Sequence, residues 1–192
     1  MFAELLRKQI SPIIELSPAQ INQLEQHYNL LIKWNKVLNL TSVRKVEEIV
    51  ERHYCESIFM GLHLPAGALT VGDVGSGAGF PGIPIGIVRP ECKVSLIESH
   101  QRKCVFLREA TRELKNVQVL PIRVEDVDEA FDWVVCRAVL LSKIEKPVSA
   151  LSALIAILGT ERPSDSRFTW NTPVQLPWGR QKYLWLGTRR ST

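Results

Sequence analysis

The chain has 192 residues, of which 45% are hydrophobic and 23% are charged. This length suits one compact catalytic unit with a modest extension and is too short for two enzymatic domains with separate cores. The composition excludes a disordered chain, and no run of about 18 apolar residues is present to span a membrane. Because Glu4, Arg7 and Lys8 interrupt the first ten residues, they do not resemble a signal peptide, and we expect a cytoplasmic protein.

The net charge of +4 is unevenly distributed along the chain. Residues 1–60 hold seven basic and seven acidic side chains, residues 61–130 hold eight and nine, and residues 131–192 hold nine and four. All of the excess is therefore C-terminal. Such a bias fits a polyanionic partner such as RNA, although a solvated basic face would give the same count.

The cysteine and histidine spacing predicts neither disulfides nor a metal site. The four cysteines are scattered without a CxxC pair, and no two histidines stand at metal-ligand spacing. The cysteines are Cys55, Cys92, Cys104 and Cys136.

The first 64 residues are predicted to form a helical extension packed on the catalytic core, which would comprise residues 65–192. Ser17, Pro18 and Gln20 form a helix-start signature with a capping box. An apolar stripe follows at steps of three and four residues, and a second helix is predicted over about Val46–Met60. The stripe comprises Ile21, Leu24, Tyr28, Leu31, Trp34 and Leu38; Ile49, Val50, Tyr54 and Ile58 are the inward positions of the second helix.

From residue 69 the pattern changes to short runs of Val, Ile and Leu separated by helical segments, which is typical of a parallel sheet with crossover helices. The predicted fold is α/β, a Rossmann-like, mostly parallel sheet with helices on both faces. Residues 161–179 are expected to form a loop with at most one short strand. The predicted strands are Leu69–Val74, Lys93–Glu98, Val117–Leu120, Phe131–Cys136, Ala153–Leu158 and Lys182–Leu186, and the predicted helices are about Gly82–Val88, Gln101–Leu114 and Lys143–Leu151.

A glycine-rich loop, Asp73–Gly82, connects the first predicted strand to the next helix. Glycines at this point let backbone N–H groups approach a ligand closely, which indicates a nucleoside-containing cofactor. Residues 77–82 also match the G-x-G-x-x-G pattern of dinucleotide-binding proteins, with Glu98 at a suitable distance for a ribose contact. Three features favour S-adenosylmethionine instead: Asp73 inside the strand, glycines that start at Gly75, and no following substrate domain of dehydrogenase size.

Polar side chains follow the other predicted strands. Glu98 ends the second strand and is suited to accept hydrogen bonds from both ribose hydroxyls. Val124 and Glu125 follow the third strand, where a methyltransferase commonly places a loop against adenine. Arg137 ends the fourth strand, where a fixed cation suits the cofactor's carboxylate or an RNA phosphate.

Several runs together resemble the RsmG/GidB family, bacterial methyltransferases that modify N7 of a guanine in 16S ribosomal RNA. The resemblance covers about residues 20–140 and implies a class I S-adenosylmethionine-dependent fold. The runs are Trp34–Ser42 (WNKVLNLTS), Asp73–Pro84 (DVGSGAGFPGIP), Leu96–Ser99 with Lys103 and Phe106–Arg108, Arg123–Asp126, and Phe131–Ala138.

The resemblance also implies site residues and partners. S-adenosylmethionine would be the cofactor, S-adenosylhomocysteine its product, and 16S rRNA or the small ribosomal subunit the partner of a monomeric enzyme, with no membrane or metal. The expected cofactor-binding residues are Asp73, Gly75, Ser76, Gly77, Gly79, Phe80, Glu98, Ser99, Val124, Glu125 and Arg137. The expected RNA-facing residues are Asn39, Thr41, His53, Pro81 and Arg137.

The chain departs from the family pattern at three points. Glu56 stands where the family usually has Asp after the His, and Leu158 precedes Gly159 where the family typically has Lys. The helix that normally connects the fifth strand to the last hairpin also has no counterpart in the pattern. These departures bear on stability and RNA affinity more than on cofactor binding.

No acid/base dyad is evident, which agrees with the implied reaction. Guanine N7 carries an in-plane lone pair and no proton, so it attacks the sulfonium methyl without a general base. Positioning is then the expected source of catalysis, and Arg137 is the one candidate for a direct role. Two alternatives stay open: a degenerate member that only binds RNA or the ribosome, and an NAD(P)-binding oxidoreductase.

Overall fold

The computed structural model describes residues 1–163, 167–179 and 181–191. Its N-terminal part consists of α1 (Phe2–Ile10), α2 (Pro18–Leu38) and a continuous helical stretch made of α3 (Val46–Ile49), a π-helical segment (Val50–Cys55) and α4 (Glu56–His63). The capping box predicted at the start of α2 is present, with reciprocal hydrogen bonds between Ser17 and Gln20. No separate helix was predicted over the residues of α1.

The sheet has the order β3-β2-β1-β4-β5-β8-β6, and β7 pairs with β8. Strands β1 to β5 are parallel, whereas β8 runs antiparallel to β5, β6 and β7. This is the predicted Rossmann-like, mostly parallel sheet. The strands are β1 (Thr70–Val74), β2 (Lys93–Ile97), β3 (Val117–Leu120), β4 (Trp133–Arg137), β5 (Leu154–Gly159), β6 (Phe168–Trp170), β7 (Val174–Gln175) and β8 (Tyr183–Arg189).

Two details differ from the prediction. The helix α6 (Gln101–Ala110) ends four residues early, because Thr111 leaves the helical region at φ −102° and ψ 4°. Two short strands, β6 and β7, lie where at most one was predicted, because β8 extends to Arg189 and offers both of them its backbone. No helix lies in the described residues between β5 and β6; residues 164–166 lie outside the described part.

Helices cover both faces of the sheet. Along β4, Val135 joins a core with α2, α5 (Gly82–Val88) and α6, whereas Val134 joins a second core with α7 (Leu141–Leu151). This alternation follows from the period of two along a strand. The carboxyl ends of β1, β2, β4 and β5 lie along one edge of the sheet, so the loops that follow these strands converge there.

Candidate functional site

The glycine loop leaves β1 between its two neighbours β2 and β4, where the strand order reverses. Gly75, Gly77 and Gly79 have φ angles of 73°, 57° and 86°, which L-residues adopt at a cost. A Cβ at Gly79 would lie 2.3 Å from Ile83, inside the protein, whereas one at Gly77 would meet nothing closer than the Gly75 carbonyl at 3.7 Å. Gly79 is therefore required by packing, and Gly77 borders open space.

Glu98 joins this loop to the loop after β2. Its Oε2 accepts the Gly77 N–H at 3.0 Å, and its Oε1 accepts the His100 N–H at 2.8 Å. Each carboxylate oxygen retains a second lone pair. Glu98 therefore fixes the backbone on both sides and keeps acceptor capacity toward a ligand.

A cleft of about 190 Å³ opens beside Glu98 at the carboxyl edge. It brings together five of the predicted cofactor residues, Gly75, Glu98, Ser99, Val124 and Glu125. The remaining lining residues are Val74, Ile97, Ile122, Arg123, Val139 and Ile144. Apolar walls with carboxylates at the rim suit a nucleoside, whose base is flat and whose ribose hydroxyls are donors.

The start of α5 discriminates between the two cofactor classes. A dinucleotide pyrophosphate needs free N–H groups there. Instead, the Gly82 N–H donates to the Asp73 carboxylate at 3.0 Å, and the N–H groups of Gly79 and Phe80 donate to the Ser76 carbonyl at 2.7 and 3.1 Å. A buried carboxylate already occupies the anion position, which disfavours NAD(P) and is compatible with a cofactor that lacks phosphate.

Asp73 itself lies beneath the loop rather than at the cleft. The residue is fully buried, and Oδ1 has no hydrogen-bond partner among the described residues. Burial raises the pKa of Asp73 to about 7, although the hydrogen bond from Gly82 works in the opposite direction. Ser76 is also buried, and its hydroxyl donates to the Asp73 carbonyl at 2.9 Å. The structure therefore gives both residues a supporting position under the loop.

The N-terminal motif supports the same loop from the other side. The Asn35 side chain brackets Thr41, with hydrogen bonds of 2.9 and 3.0 Å to its N–H and carbonyl, and the Thr41 hydroxyl lies 2.7 Å from His53 Nε2. The His53 ring stacks on Phe80 at a centroid distance of 4.9 Å. Burial, followed by the charge of Arg137, lowers the pKa of His53 to about 3. His53 is therefore neutral at physiological pH.

These contacts separate the expected RNA-facing residues into two groups. His53 and Pro81 are buried, so the structure does not bring them to the surface. Asn39 is exposed and ends α2 in the left-handed conformation, at φ 47°. Thr41 and Arg137 are partly exposed. Phe80, expected at the cofactor, packs instead among His53, His27 and Tyr54.

His27 is a supporting residue that the sequence prediction missed. The Tyr54 hydroxyl lies 3.0 Å from His27 Nδ1, and His27 Nε2 lies 3.0 Å from the Ala78 carbonyl in the glycine loop. With Tyr54 donating to Nδ1, the Nε2–H donates to Ala78. The predicted stripe of α2 assigned the inward position to Tyr28, but the structure buries His27 and leaves Tyr28 partly exposed. The position of His27, a polar residue directly beside the apolar stripe of α2, was the one sign in the sequence that it could be buried.

We expect His27 to make stability depend on pH. Burial lowers its pKa from 6.5 to about 4, so below pH 6.5 the unfolded chain binds a proton that the folded chain does not. The free energy of unfolding therefore decreases as the pH is lowered below 6.5, and the contribution of His27 to this decrease is roughly 3 kcal/mol at pH 4. Urea unfolding of His27→Gln should be less steeply pH-dependent than that of the wild type between pH 6.5 and 4. The exposed His100→Gln serves as control and should retain the wild-type slope.

A second cleft, of about 260 Å³, opens at the ends of β4 and β5. Arg137 lies on its wall, and its Nε is 3.9 Å from Glu56 Oε2. The buried Glu56 also accepts a hydrogen bond from Lys182, which immediately precedes β8. The lining of the second cleft comprises Arg52, Glu56, Arg137, Ala138, Leu158, Gly159, Thr160, Leu176, Lys182 and Tyr183. Three cations around one carboxylate leave this cleft electropositive.

Within residues 1–163, 167–179 and 181–191, no group of three or more His, Cys, Asp or Glu side chains is arranged to hold a metal ion. All four cysteines are buried and free. None of the described helices combines the length and apolarity needed to cross a bilayer.

Sequence comparison gives a consistent result. The profile of the GidB family, described as rRNA small subunit methyltransferase G, matches residues 20–159. A Ribosomal RNA small subunit methyltransferase G from Halorhodospira halophila is 43% identical over 129 residues, which cover 66% of this chain and 61% of the relative. One from Chromobacterium violaceum is 41% identical over 140 residues, covering 71% and 66%. The chain thus aligns with 61–66% of the length of these relatives.

Solved structures share the fold at low identity. Magnesium protoporphyrin IX methyltransferase from Synechocystis, with bound SAM, matches with a TM-score of 0.60 and 12% identity, covering 92% of this chain and 99% of the other. The ribosomal protein L11 methylase from Lactobacillus delbrueckii matches with a TM-score of 0.57 and 15% identity, covering 73% and 80%. These likenesses establish the class I methyltransferase fold and nothing narrower.

Proposed function

The chain belongs to the rRNA small subunit methyltransferase G family, and from this premise we propose that it methylates N7 of a guanine in 16S ribosomal RNA, using S-adenosylmethionine. The observation that carries the cofactor assignment is a pair of features at the carboxyl ends of β1 and β2. Glu98 keeps acceptor capacity beside an apolar cleft, and Asp73 already occupies the position that a pyrophosphate would need. The RNA and guanine assignments rest on the family.

Five residues would hold the cofactor. Glu98 would accept the ribose hydroxyls, and Val124 and Glu125 would flank the base. The backbone at Gly75, which lines the cleft, and at Gly77, whose N–H binds Glu98, would border the methionine part. When bound, S-adenosylmethionine supplies a methyl group activated by a sulfonium. Residues 1–64 would be an extension that serves the catalytic unit 65–192, because His27 contacts the glycine loop at Ala78 and His53 stacks on Phe80.

The reaction needs alignment rather than proton transfer. The N7 lone pair forms the new carbon–nitrogen bond while the carbon–sulfur bond breaks, so the positive charge moves from sulfur to the guanine ring. No proton moves, so no residue has to act as a base. The protein's task is to hold the two reactants in line and exclude water.

The second cleft is the proposed entrance for the target nucleotide. It opens at the same edge as the cofactor cleft, and Ala138 and Val139 join the two, one lining each. Arg52, Arg137 and Lys182 would meet the flanking phosphates. A base unstacked from its loop would then approach the cofactor from the side opposite Glu98.

Transfer of tritium from labelled S-adenosylmethionine to undermethylated small subunits and to deproteinised 16S rRNA tests this proposal. Label on a single 7-methylguanosine, identified by nuclease digestion and mass spectrometry, is the expected result. A protein that binds the RNA but transfers no label would be the degenerate member. A rise in melting temperature with NADH and none with S-adenosylhomocysteine would identify an oxidoreductase.

Arg137→Ala should reduce kcat/KM for methyl transfer by roughly 30-fold, the equivalent of removing one charge-assisted hydrogen bond of about 2 kcal/mol. The reason is that Arg137 lines the second cleft and is followed directly by Ala138 and Val139, which join this cleft to the cofactor cleft. Separate titrations of cofactor and RNA would show which ligand it contacts. Arg137→Lys should recover part of the activity, and Arg102→Ala on the exposed side of α6 is the control. Wild-type kinetics in Arg137→Ala would remove this residue from the site.

A further inference from the structure

A third cleft, here called the basic cleft, lies away from both clefts described above. It has a volume of about 840 Å³, and four cationic side chains line it together with small residues. All four cations are exposed, and none of the described residues that line the cleft is acidic. The lining comprises Lys146, Ser149, Ala150, Ala153, Arg167, Arg189, Arg190 and Ser191.

The basic cleft lies at the amino end of β5, whereas the proposed site of methyl transfer lies at the carboxyl ends of the parallel strands. Ala153 precedes β5, and Arg189 ends the antiparallel β8 beside it. Leu158, five residues after Ala153, pairs with Arg137 at the carboxyl edge. An extended strand rises by about 3.3 Å per residue, so Ala153 and Leu158 are about 16 Å apart along β5. The basic cleft therefore cannot contact the reacting base.

Secondary structure holds the cations in place. The Arg189 N–H donates to the Ala153 carbonyl at 2.7 Å, and the Arg190 N–H donates to the Arg167 carbonyl at 2.8 Å. The Arg189 guanidinium donates to the Ser149 carbonyl at 2.6 Å, and Arg190 Nε donates to the Phe168 carbonyl at 3.2 Å. Each of these two guanidinium groups carries five N–H donors, so most of its donors still face solvent.

Three of the charges in the basic cleft have no counterion in the described part of the chain. Lys146, Arg189 and Arg190 make no ion pair with any described residue. The last 62 residues, 131–192, which include all four cations of the basic cleft, carry nine basic and four acidic side chains. Such a concave concentration of one charge sign raises the local concentration of a polyanion.

We propose that the basic cleft binds the phosphodiester backbone of the small-subunit RNA at a distance from the target base. This inference rests on the proposed function, since it takes the substrate to be RNA. Guanidinium and ammonium groups without base-reading amides suit phosphate contacts that position an RNA without reading its sequence. A lipid surface fits less well, because the lining has Ala and Ser where membrane-binding faces carry large apolar residues.

Binding of the full chain to a labelled 16S rRNA fragment, measured by anisotropy over a range of salt concentrations, tests the proposal. Lys146→Glu with Arg190→Glu should weaken binding by roughly tenfold and reduce the salt slope by about two, one for each phosphate that is no longer neutralised. The milder Lys146→Gln with Arg190→Gln should give a smaller change in the same direction. Arg112→Glu with Lys115→Glu is the matched control, because both residues are exposed, the charge change is identical, and they lie beside the far edge strand β3.

Two further readouts separate this inference from the proposed function. Affinity for S-adenosylhomocysteine and single-turnover methyl transfer at saturating RNA should stay within about twofold of the wild type, since the basic cleft touches neither reactant. RNA affinity and salt slope unchanged in the charge-reversal variant would overturn the inference, and so would loss of binding to phosphatidylserine vesicles with RNA binding intact. A wild-type protein that transfers no methyl group, but whose RNA binding needs these cations, would refute the function and support the basic cleft.

Discussion

Gly77→Val should abolish binding of S-adenosylmethionine and S-adenosylhomocysteine while leaving the protein folded. A Cβ at Gly77 has no protein atom within 3.4 Å, so the new side chain would project into the open space that the cofactor is proposed to use. The Gly77 N–H also donates to Glu98, so strain at this position would disturb the proposed ribose acceptor. We expect a loss of at least about 100-fold in affinity by calorimetry, because steric exclusion and displacement of an acceptor act together.

The control for this prediction is Gly67, which lies before β1. Gly67 has φ +102° and no atom within 4 Å of an added Cβ. It therefore has a positive φ, as Gly77 does, but lies outside the proposed cofactor site. Gly67→Ala and Gly77→Ala should each lower the free energy of unfolding by about 1–2 kcal/mol. Only Gly77→Ala should also weaken cofactor binding. Wild-type affinity in Gly77→Val would contradict the assignment of this loop.

Local patterns were sufficient to predict the parallel sheet and the loop after β1. Short apolar runs identified β1, β2, β4 and β5, because these strands are buried on both faces and their composition reflects this. The run that identified β3 is weaker, since β3 is an edge strand with only Val117 buried. The convergence of five candidate cofactor residues on one cleft could also be predicted. Gly75, Glu98 and Val124 each follow a parallel strand, and topology alone brings the ends of such strands together.

Contacts between distant segments could not be predicted in this way. His27 and Tyr28 are neighbours on α2, and only the packing of α2 against the loop decides which of them is buried. The acid in the glycine motif was expected at the cofactor, but its burial below the loop depends on where α5 begins. Lys182 belongs to no motif, and its partner lies 126 residues away.

The loop is therefore held by residues that do not face the cleft. Asp73 fixes α5, His27 binds the Ala78 carbonyl, and His53 stacks on Phe80. Such support would let a site of the proposed kind, which works by positioning, keep its geometry without a catalytic side chain. The N-terminal motif and the glycine motif therefore pack into one unit in this chain.

Glu56→Gln should produce the largest loss of stability among the changes considered. Glu56 is 3% exposed and contacts both Lys182 and Arg137, thereby joining α4 to the start of β8. Removing its charge leaves two partly buried cations without this counterion, and breaking a buried pair in this way costs roughly 3 kcal/mol. For a chain of this size, the melting temperature should fall by about 6–12 °C.

A double-mutant cycle separates the Glu56–Lys182 pair from the loss of either side chain alone. Lys182→Gln should also destabilise the protein, and the combined Glu56→Gln, Lys182→Gln variant should be more stable than the sum of the single effects predicts. Glu113→Gln is the control, because its pair with Arg112 is solvent-exposed and should contribute little. Additive effects of Glu56→Gln and Lys182→Gln would show that the two side chains are not coupled. Coupling would mean that Glu56, which stands where the family usually has the shorter Asp, links the start of β8 to α4. The wall of the second cleft would then depend on this ion pair.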